Sequence, residues 1–304
     1  MASSSTFIKR KDGRSATDMR PVEIQIGSLP NADGSGAFSF GTEAAIASFA
    51  GPLEPPGARM EVFTEAVLTI THRPLEGSAA TPSRALAAGL HTIYHSLLDL
   101  RSHPRTRTTL TVQSLNSSQS PSQPLYVSSR AVAINAATLS ILNAGSIGIK
   151  GVPVAIGVAV VSKNGKGKQR SYYDDVPEDA QMYEEPEDDK EVTLILDPTR
   201  SEEQNAKARF CFGWAFGAGL SSDTPASDSM DQAEGRGRES EHDTEAECVY
   251  VESDGVFDAV TVGRSLSPIH QHHPSCVNPA FTDDTLLACS SKKHIMRRGS
   301  LVKP

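Results

Sequence analysis

The sequence is short of the residues that build metal sites and secreted frameworks. Four cysteines occur in 304 residues, Cys211, Cys248, Cys276 and Cys289, and no metal-type or framework spacing relates them. Reduced thiols in an intracellular protein are therefore expected. No apolar run approaches the roughly 18 residues that a membrane helix needs, so no membrane association is expected. The opening MASSSTFIKRKDGRS has no apolar core of the kind a secretory leader carries. No G-x-S-x-G elbow is present, which removes the common serine-hydrolase arrangement. GKGK at residues 165–168 lacks the P-loop spacing and reads as a solvated linker. HQHHPSC at residues 270–276 offers no paired ligand motifs, and structural zinc wants four convergent ligands, so neither a metal nor a cofactor is expected.

A basic surplus is missing too. The formal net charge is −8. Residues 162–191 contribute −5 and residues 220–247 contribute −7, whereas residues 1–20 give +3 and residues 262–304 give +4, leaving −3 on the foldable remainder. An autonomous nucleic-acid binder usually carries a strong positive excess. Contact with RNA would have to come from a local patch or a larger assembly.

What is present is a helix at residues 127–145, VSSRAVAINAATLSILNAG. Val132, Ile134, Leu139, Ile141 and Leu142 are separated by alanines and by few polar residues, and a helix apolar all round is normally buried all round. Ser128 or Ser129 is placed to cap its start and Gly145 to end it. Arg130 falls in the first turn, where backbone N–H groups attract anions. The segment thus reads both as a core helix and as a candidate phosphate site. A lone arginine there is also a common salt-bridge partner.

Around it the pattern predicts an α+β fold. Residues 1–20 are polar and basic and are expected to be disordered. Val22, Ile24 and Ile26 alternate with polar residues and predict a half-buried strand. An Asp33–Gly34 turn leads to strands at 37–40 and 43–50, and alternation over 60–71 predicts a long strand. Residues 82–100 have helical spacing, with Pro82 in the first turn. Residues 108–115 alternate, 116–124 form a loop, and 153–161 read as a buried strand. Strands follow at 191–196, 208–217 and 248–252, with one helical turn near 201–206. This order predicts a domain over residues 21–261, a mixed sheet covered by helices. Two acidic inserts, 162–191 and 220–247, are expected to be disordered. Residues 262–304 have no useful period and are expected to be disordered, and a misread gene model, with intron translated in place of exon, would account for them.

Other chemical candidates are thin. His72, His91, His95 and His103 have no visible partner and read as core or surface residues. Arg101, Arg105 and Arg107 form a small basic patch with His103 between a helix and a strand, suited either to RNA or to an ordinary charged loop.

Several motifs, in order, carry a family resemblance. They are the strand–ADGS–strand–GPLE run of residues 22–55, RPLEG at 73–77, PRTRTTLTVQSL at 104–115, AINAATLSILNAG at 133–145 and LDPT at 196–199. Together they resemble the RNase PH family, and within it the ring subunits of the eukaryotic RNA exosome. The resemblance implies a fold of the ribosomal protein S5 domain 2 type. It implies RNase PH-like neighbours in a six-membered ring, an S1-domain cap protein, and RNA passing through the channel. Work in rRNA processing and mRNA decay, in nucleus, nucleolus and cytoplasm, is implied with it.

Active relatives hold phosphate with G-[ST]-R at the start of the central helix. Here Ser128, Ser129 and Arg130 stand there, and the glycine that lets backbone approach an anion is gone. Active relatives also use two aspartates six residues apart after the LD strand. Those positions fall on Glu203 and Arg209, or on Ala208 or Phe210 if the register slips by one. No acid lies between Ala206 and Leu220, and a guanidinium neither gives up a proton at neutral pH nor ligates Mg²⁺. A non-catalytic subunit is therefore expected, with an active phosphorolytic exoribonuclease as the alternative.

Overall fold

The computed structural model describes residues 10–57, 61–75, 79–116, 125–162, 192–217 and 246–255. Five strands build the first sheet: β1 (Val22–Ile26), β2 (Gly34–Phe40), β3 (Glu43–Leu53), β4 (Val67–Arg73) and β5 (Arg107–Ser114). Their order is β1-β2-β3-β5-β4. All neighbours are antiparallel except β4 and β5, which are parallel and joined through helix α1 (Thr81–Leu97), as a parallel pair requires a crossover. Helix α2 (Val127–Ala144) follows. A second, antiparallel sheet contains β6 (Val152–Ser162), β7 (Val192–Leu196), β8 (Ala208–Phe216) and β9 (Ala246–Gly255) in the order β7-β6-β8-β9, with α3 (Arg200–Gln204) between β7 and β8.

Helix α2 lies between the sheets, against β2 and β3 on one side and β6 and β8 on the other. Small residues make this possible. A Cβ at Gly34 would fall 2.2 Å from the Ser140 carbonyl oxygen, and one at Gly36 would fall 2.5 Å from Leu139 Cβ, so β2 can approach the helix only as glycine. On the other side the Asn135 amide takes the place of a strand neighbour. Its Nδ2 donates to Ala155 O at 2.9 Å, and its Oδ1 accepts from Ala155 N–H at 2.7 Å. This happens beyond the reach of β7, which pairs with β6 only from Val158 onward. The Thr138 hydroxyl adds a contact to Pro153 O at 2.8 Å. The opposite face of the second sheet holds a separate apolar cluster of Val158, Val160, Phe210, Phe212 and Trp214.

The α+β class, the order of strands and helices and the αL glycine at Gly145 (φ 59°) agree with the sequence pattern. Several details differ. The strands divide between two sheets because α2 needs a partner on both faces. Leu142 is exposed, so the helix is not apolar-buried to its last turn. Strand β1 is exposed along its whole length, because it pairs only with β2 at the sheet edge and overhangs the helix. Strand β4 begins at Val67 and not near 60, because Ala66 N–H is drawn to Leu100 O and Arg105 N–H to Val62 O. Helix α1 ends at Leu97, with a 3-10 turn at Leu100–Ser102. Ala246 and Glu247 belong to β9 and not to an insert.

The largest correction concerns residues 10–20. They were expected to be disordered, yet Arg10 is buried and the Ala16 carbonyl accepts Leu196 N–H at 2.9 Å. Buried carbonyls and carboxylates around the β7–α3 turn supply the partners that make this basic segment pack. Residues 1–9, the bulk of both acidic inserts, residues 256–304 and the histidine-rich 270–276 lie outside the described residues. Cys211 is a buried thiol, and Cys248 Sγ lies 3.8 Å from Tyr250 O.

His72, on β4, is a core histidine. It is 2% exposed, its Nε2 lies 3.0 Å from Ser114 Oγ, and its Nδ1 has no hydrogen-bond partner. Burial lowers its pKa to about 4 from 6.5. The folded value lies below the unfolded one, so the stability tied to neutral His72 is intact above pH 6.5 and is lost as pH falls toward 4. The loss should reach about 3 kcal/mol. Urea unfolding from pH 7 to pH 4.5 should show a steeper fall in midpoint for the wild type than for His72→Gln, and equal slopes would sink this assignment.

Candidate functional site

Helix α2 starts inside the protein, so its first N–H groups need partners that water cannot supply. The N-cap residue is Tyr126, which makes no side-chain cap, and neither Ser128 nor Ser129 acts as one. The cap comes from α3. The Glu203 carboxylate accepts Val127 N–H at 2.9 Å and Ser128 N–H at 3.1 Å. The Ser128 hydroxyl lies 2.8 Å from Glu203 Oε1 and 2.7 Å from Pro198 O and donates its one proton within that pair. Glu203 is 1% exposed. Burial pushes its pKa up, against the pull of the Ser128 and Val127 hydrogen bonds and the nearby Arg209 charge.

What holds Glu203 there begins in residues 10–20. Asp197 sits in the left-handed region (φ 45°), buried, where the chain turns from β7 into α3. Arg20 fixes it, giving its N–H and Nε to Asp197 Oδ2 at 2.8 Å each. Arg10 donates to Leu196 O and Asp197 O at 2.9 Å each and pairs with Glu202 at 2.7 Å. Glu202 also closes a capping box with Thr199. Burial raises the Glu202 pKa, but the hydrogen bonds from Arg10 and Thr199 outweigh it and hold the group below the usual carboxylate range.

The remaining groups at the helix start are paired as well. Arg130 is buried, with Nη1 2.9 Å from Glu252 Oε1 on β9, and the Tyr250 hydroxyl donates to the other Glu252 oxygen. The salt-bridge reading of Arg130 is thus what the structure shows. The Ser129 hydroxyl donates to Glu43 Oε2 at 2.9 Å, and Glu43 also pairs with Arg200. Arg209, at the second acid position, faces Asp254 across β8 and β9 and pairs with it.

Ser128, Ser129, Arg130, Glu203 and Arg209 therefore converge, as the sequence motifs require. Arg101, Arg105 and Arg107 do not join them. The start of β3 (Glu43) meets the start of α2, whereas Gly51, near the other end of β3, meets Ser146 just past the end of α2. Arg107 pairs with Leu53, so the basic patch lies at the C-terminal end of α2. Eighteen residues at helical rise separate the two ends by about 27 Å.

Sequence reasoning missed Glu43, Glu252 and Asp254. Each lies on a strand far from the motif in sequence, and a carboxylate in a strand pattern gives no sign of which cation it will meet. Between Ala206 and Leu220 β8 carries no acid, and the carboxylate that pairs with Arg209 stands across the ladder on β9.

The comparisons with known proteins agree with this fold. Residues 18–146 match the model of the 3′ exoribonuclease family, domain 1. The match runs from β1 to the end of α2, and the chain thus has an RNase PH-like fold. It is similar to exosome complex component RRP46 of Saccharomyces cerevisiae, 31% identical over 140 residues, which is 46% of this chain and 61% of that protein. It is also similar to exosome complex component Rrp41 of Pyrobaculum calidifontis, 28% identical over 161 residues, 50% of this chain and 62% of that protein. The chain thus spans less than two thirds of the length of these curated relatives. Among solved structures, rice (Oryza sativa) Rrp46 superposes with a TM-score of 0.56 at 20% identity, over 88% of this chain and 99% of that one. A chain of the Archaeoglobus fulgidus exosome with RNA bound to the active site superposes with a TM-score of 0.54 at 13% identity, over 85% of this chain and 87% of that one.

If Glu203 is the cap of α2, Glu203→Ala leaves two buried amides and a serine hydroxyl short of an acceptor. The expected cost is about 2 kcal/mol, read as a lower urea midpoint at pH 7. An unchanged midpoint would remove Glu203 from this role.

Proposed function

We infer that this chain is a structural, non-catalytic subunit of an RNA exosome ring, supporting 3′-to-5′ RNA processing and degradation, including rRNA processing and mRNA decay. The observation that carries the reading is the state of the α2 N-terminus. In the active members of the family that end binds phosphate. Here Glu203 takes its N–H groups, Glu252 takes Arg130 and Glu43 takes Ser129. An incoming phosphate would have to displace carboxylates already paired and would meet their charge in a poorly solvated space, where like-charge repulsion is strong. Arg209 cannot replace the second acid, and it is itself engaged with Asp254.

The yeast relative, by its name a component of the exosome complex, supports a place in such an assembly, here beside other RNase PH-like subunits. An S1-domain cap protein, RNA threading the channel, and action in nucleus, nucleolus and cytoplasm complete the proposal. The alternative is an active phosphate-dependent exoribonuclease using Arg130 and Glu203. It draws on the retained arginine and on the similarity to archaeal Rrp41.

The two readings separate in one preparation. A tagged copy should recover RNase PH-like ring subunits, and recovery of none would overturn the assembly reading. The purified chain, given single-stranded RNA and inorganic phosphate, should release no nucleoside diphosphates. Release that disappears with Arg130→Ala would establish the enzyme instead.

A further inference from the structure

Residues 61–66 and 100–107 run side by side at the end of the first sheet, far from Arg130. Three backbone bonds clamp them: Ala66 N–H to Leu100 O at 2.9 Å, Arg105 N–H to Val62 O at 2.9 Å, and Val67 N–H to Thr106 O at 2.8 Å. Arg105 is a non-glycine residue at φ 61°, an unfavourable backbone conformation held by these contacts. Its side chain is fixed as well. Nε donates to Glu61 Oε2 at 3.0 Å, and the guanidinium lies 5.6 Å from the centre of the Phe63 ring. Phe63 is 77% exposed, the highest value among the exposed large apolar residues described. A loop tied by three backbone hydrogen bonds therefore presents a phenyl ring to water with a guanidinium over it.

We propose that Phe63 and Arg105 form a stacking platform for a base of single-stranded RNA. Every base has a π-face that an exposed aromatic ring can accept, and arginine adds a cation–π contact and an attraction for the adjacent phosphate. The charge of the strip fits a polyanion. Residues 100–107, LRSHPRTR, hold three arginines and no acid, and exposed Arg101 has no side-chain partner among the described residues. Glu61, paired with Arg105, and Glu65, beside His95, stand against these three charges and leave a surplus of one. An apolar protein groove would gain little from a ring already shadowed by a guanidinium, so RNA is the favoured occupant. The proposal rests on the reading that this chain meets RNA. It adds a place and a mode, at the end of α2 opposite the self-satisfied phosphate site.

The test uses the full chain and a fluorescein-labelled oligoadenylate, followed by anisotropy at several salt concentrations. Phe63→Ala should weaken binding about tenfold, whereas F63W should bind within about twofold of the wild type. Arg105→Ala should weaken binding and lower the salt slope by about 0.7, the value of one phosphate contact on a single strand. F63W adds a second readout. The native Trp214 is buried at 7% exposure, so the new indole reports separately, and RNA should quench its emission. Unchanged affinity in Phe63→Ala, an unquenched F63W, or a chain that binds no oligoadenylate would each overturn the platform. Co-purification of ring subunits with Phe63→Ala keeps the two proposals apart. Loss of those subunits with RNA affinity intact would make this surface a protein contact and overturn the RNA assignment. Their retention with RNA affinity lost supports it.

Discussion

A helix that begins inside a protein brings unpaired N–H groups into a place where water cannot satisfy them, and the arrangement of this chain follows from how that need is met. Helix α2 is wedged between two sheets, so its first turn is buried with it. The acceptor is the Glu203 carboxylate, carried in from the second sheet by the β7–α3 turn. A carboxylate at a helix N-terminus gains from the helix dipole and from two N–H donors, yet it gives up its own hydration. Its raised pKa says that desolvation is the larger effect. Such a group stays in place only if the surrounding structure holds it. The Arg10, Arg20, Asp197 and Glu202 cluster does so by fixing the turn from which α3 springs. The packing of α2, the shape of the β7–α3 turn and the docking of residues 10–20 thus belong to one connected set of contacts.

The same region shows a close matching of charge. Glu43 stands with Arg200, Glu252 with Arg130, and Asp254 with Arg209. In a site built for an exogenous anion, cationic and N–H groups are left short of acceptors so that the ligand completes them. Here the acceptors come from β3, α3 and β9 of the same chain. Breaking any one pair leaves its partner without compensation in a poorly solvated space, which costs several kcal/mol where burial is deep. This favours retention of the carboxylates in a scaffold and opposes their easy displacement by phosphate.

The central helix was legible in the sequence because its alanines, its αL glycine and the ADGSG run that packs on it are local patterns with a steric meaning. The order of strands was legible for the same reason. Three features were not. Residues 10–20 read as a polar leader, since nothing in RKDGRSATDMR reveals that buried carboxylates lie some 180 residues away. The exposure of β1 depends on where α2 stops covering the sheet, which alternation cannot report. Asp254 meets Arg209 through the pairing of β8 with β9, and Glu252 of β9 meets Arg130 of α2, so both acids stand far in sequence from the cations they pair with. In each case the missing information is tertiary, a partner distant in sequence and adjacent in space.

Helix α2 also separates two kinds of surface. At its start the Val127 and Ser128 N–H groups, the Ser129 hydroxyl and Arg130 have carboxylate partners from the same chain. Near its other end, about 27 Å away, the loop with Phe63 and Arg105 leaves an aromatic ring and exposed guanidinium groups facing water. These two ends follow opposite rules. A buried charge must be paired within the fold, because no ligand is always present to pair it. A surface charge carries no such obligation and is free to bind what passes. The first arrangement uses the inherited arginine for stability. The second leaves cations available without weakening the core.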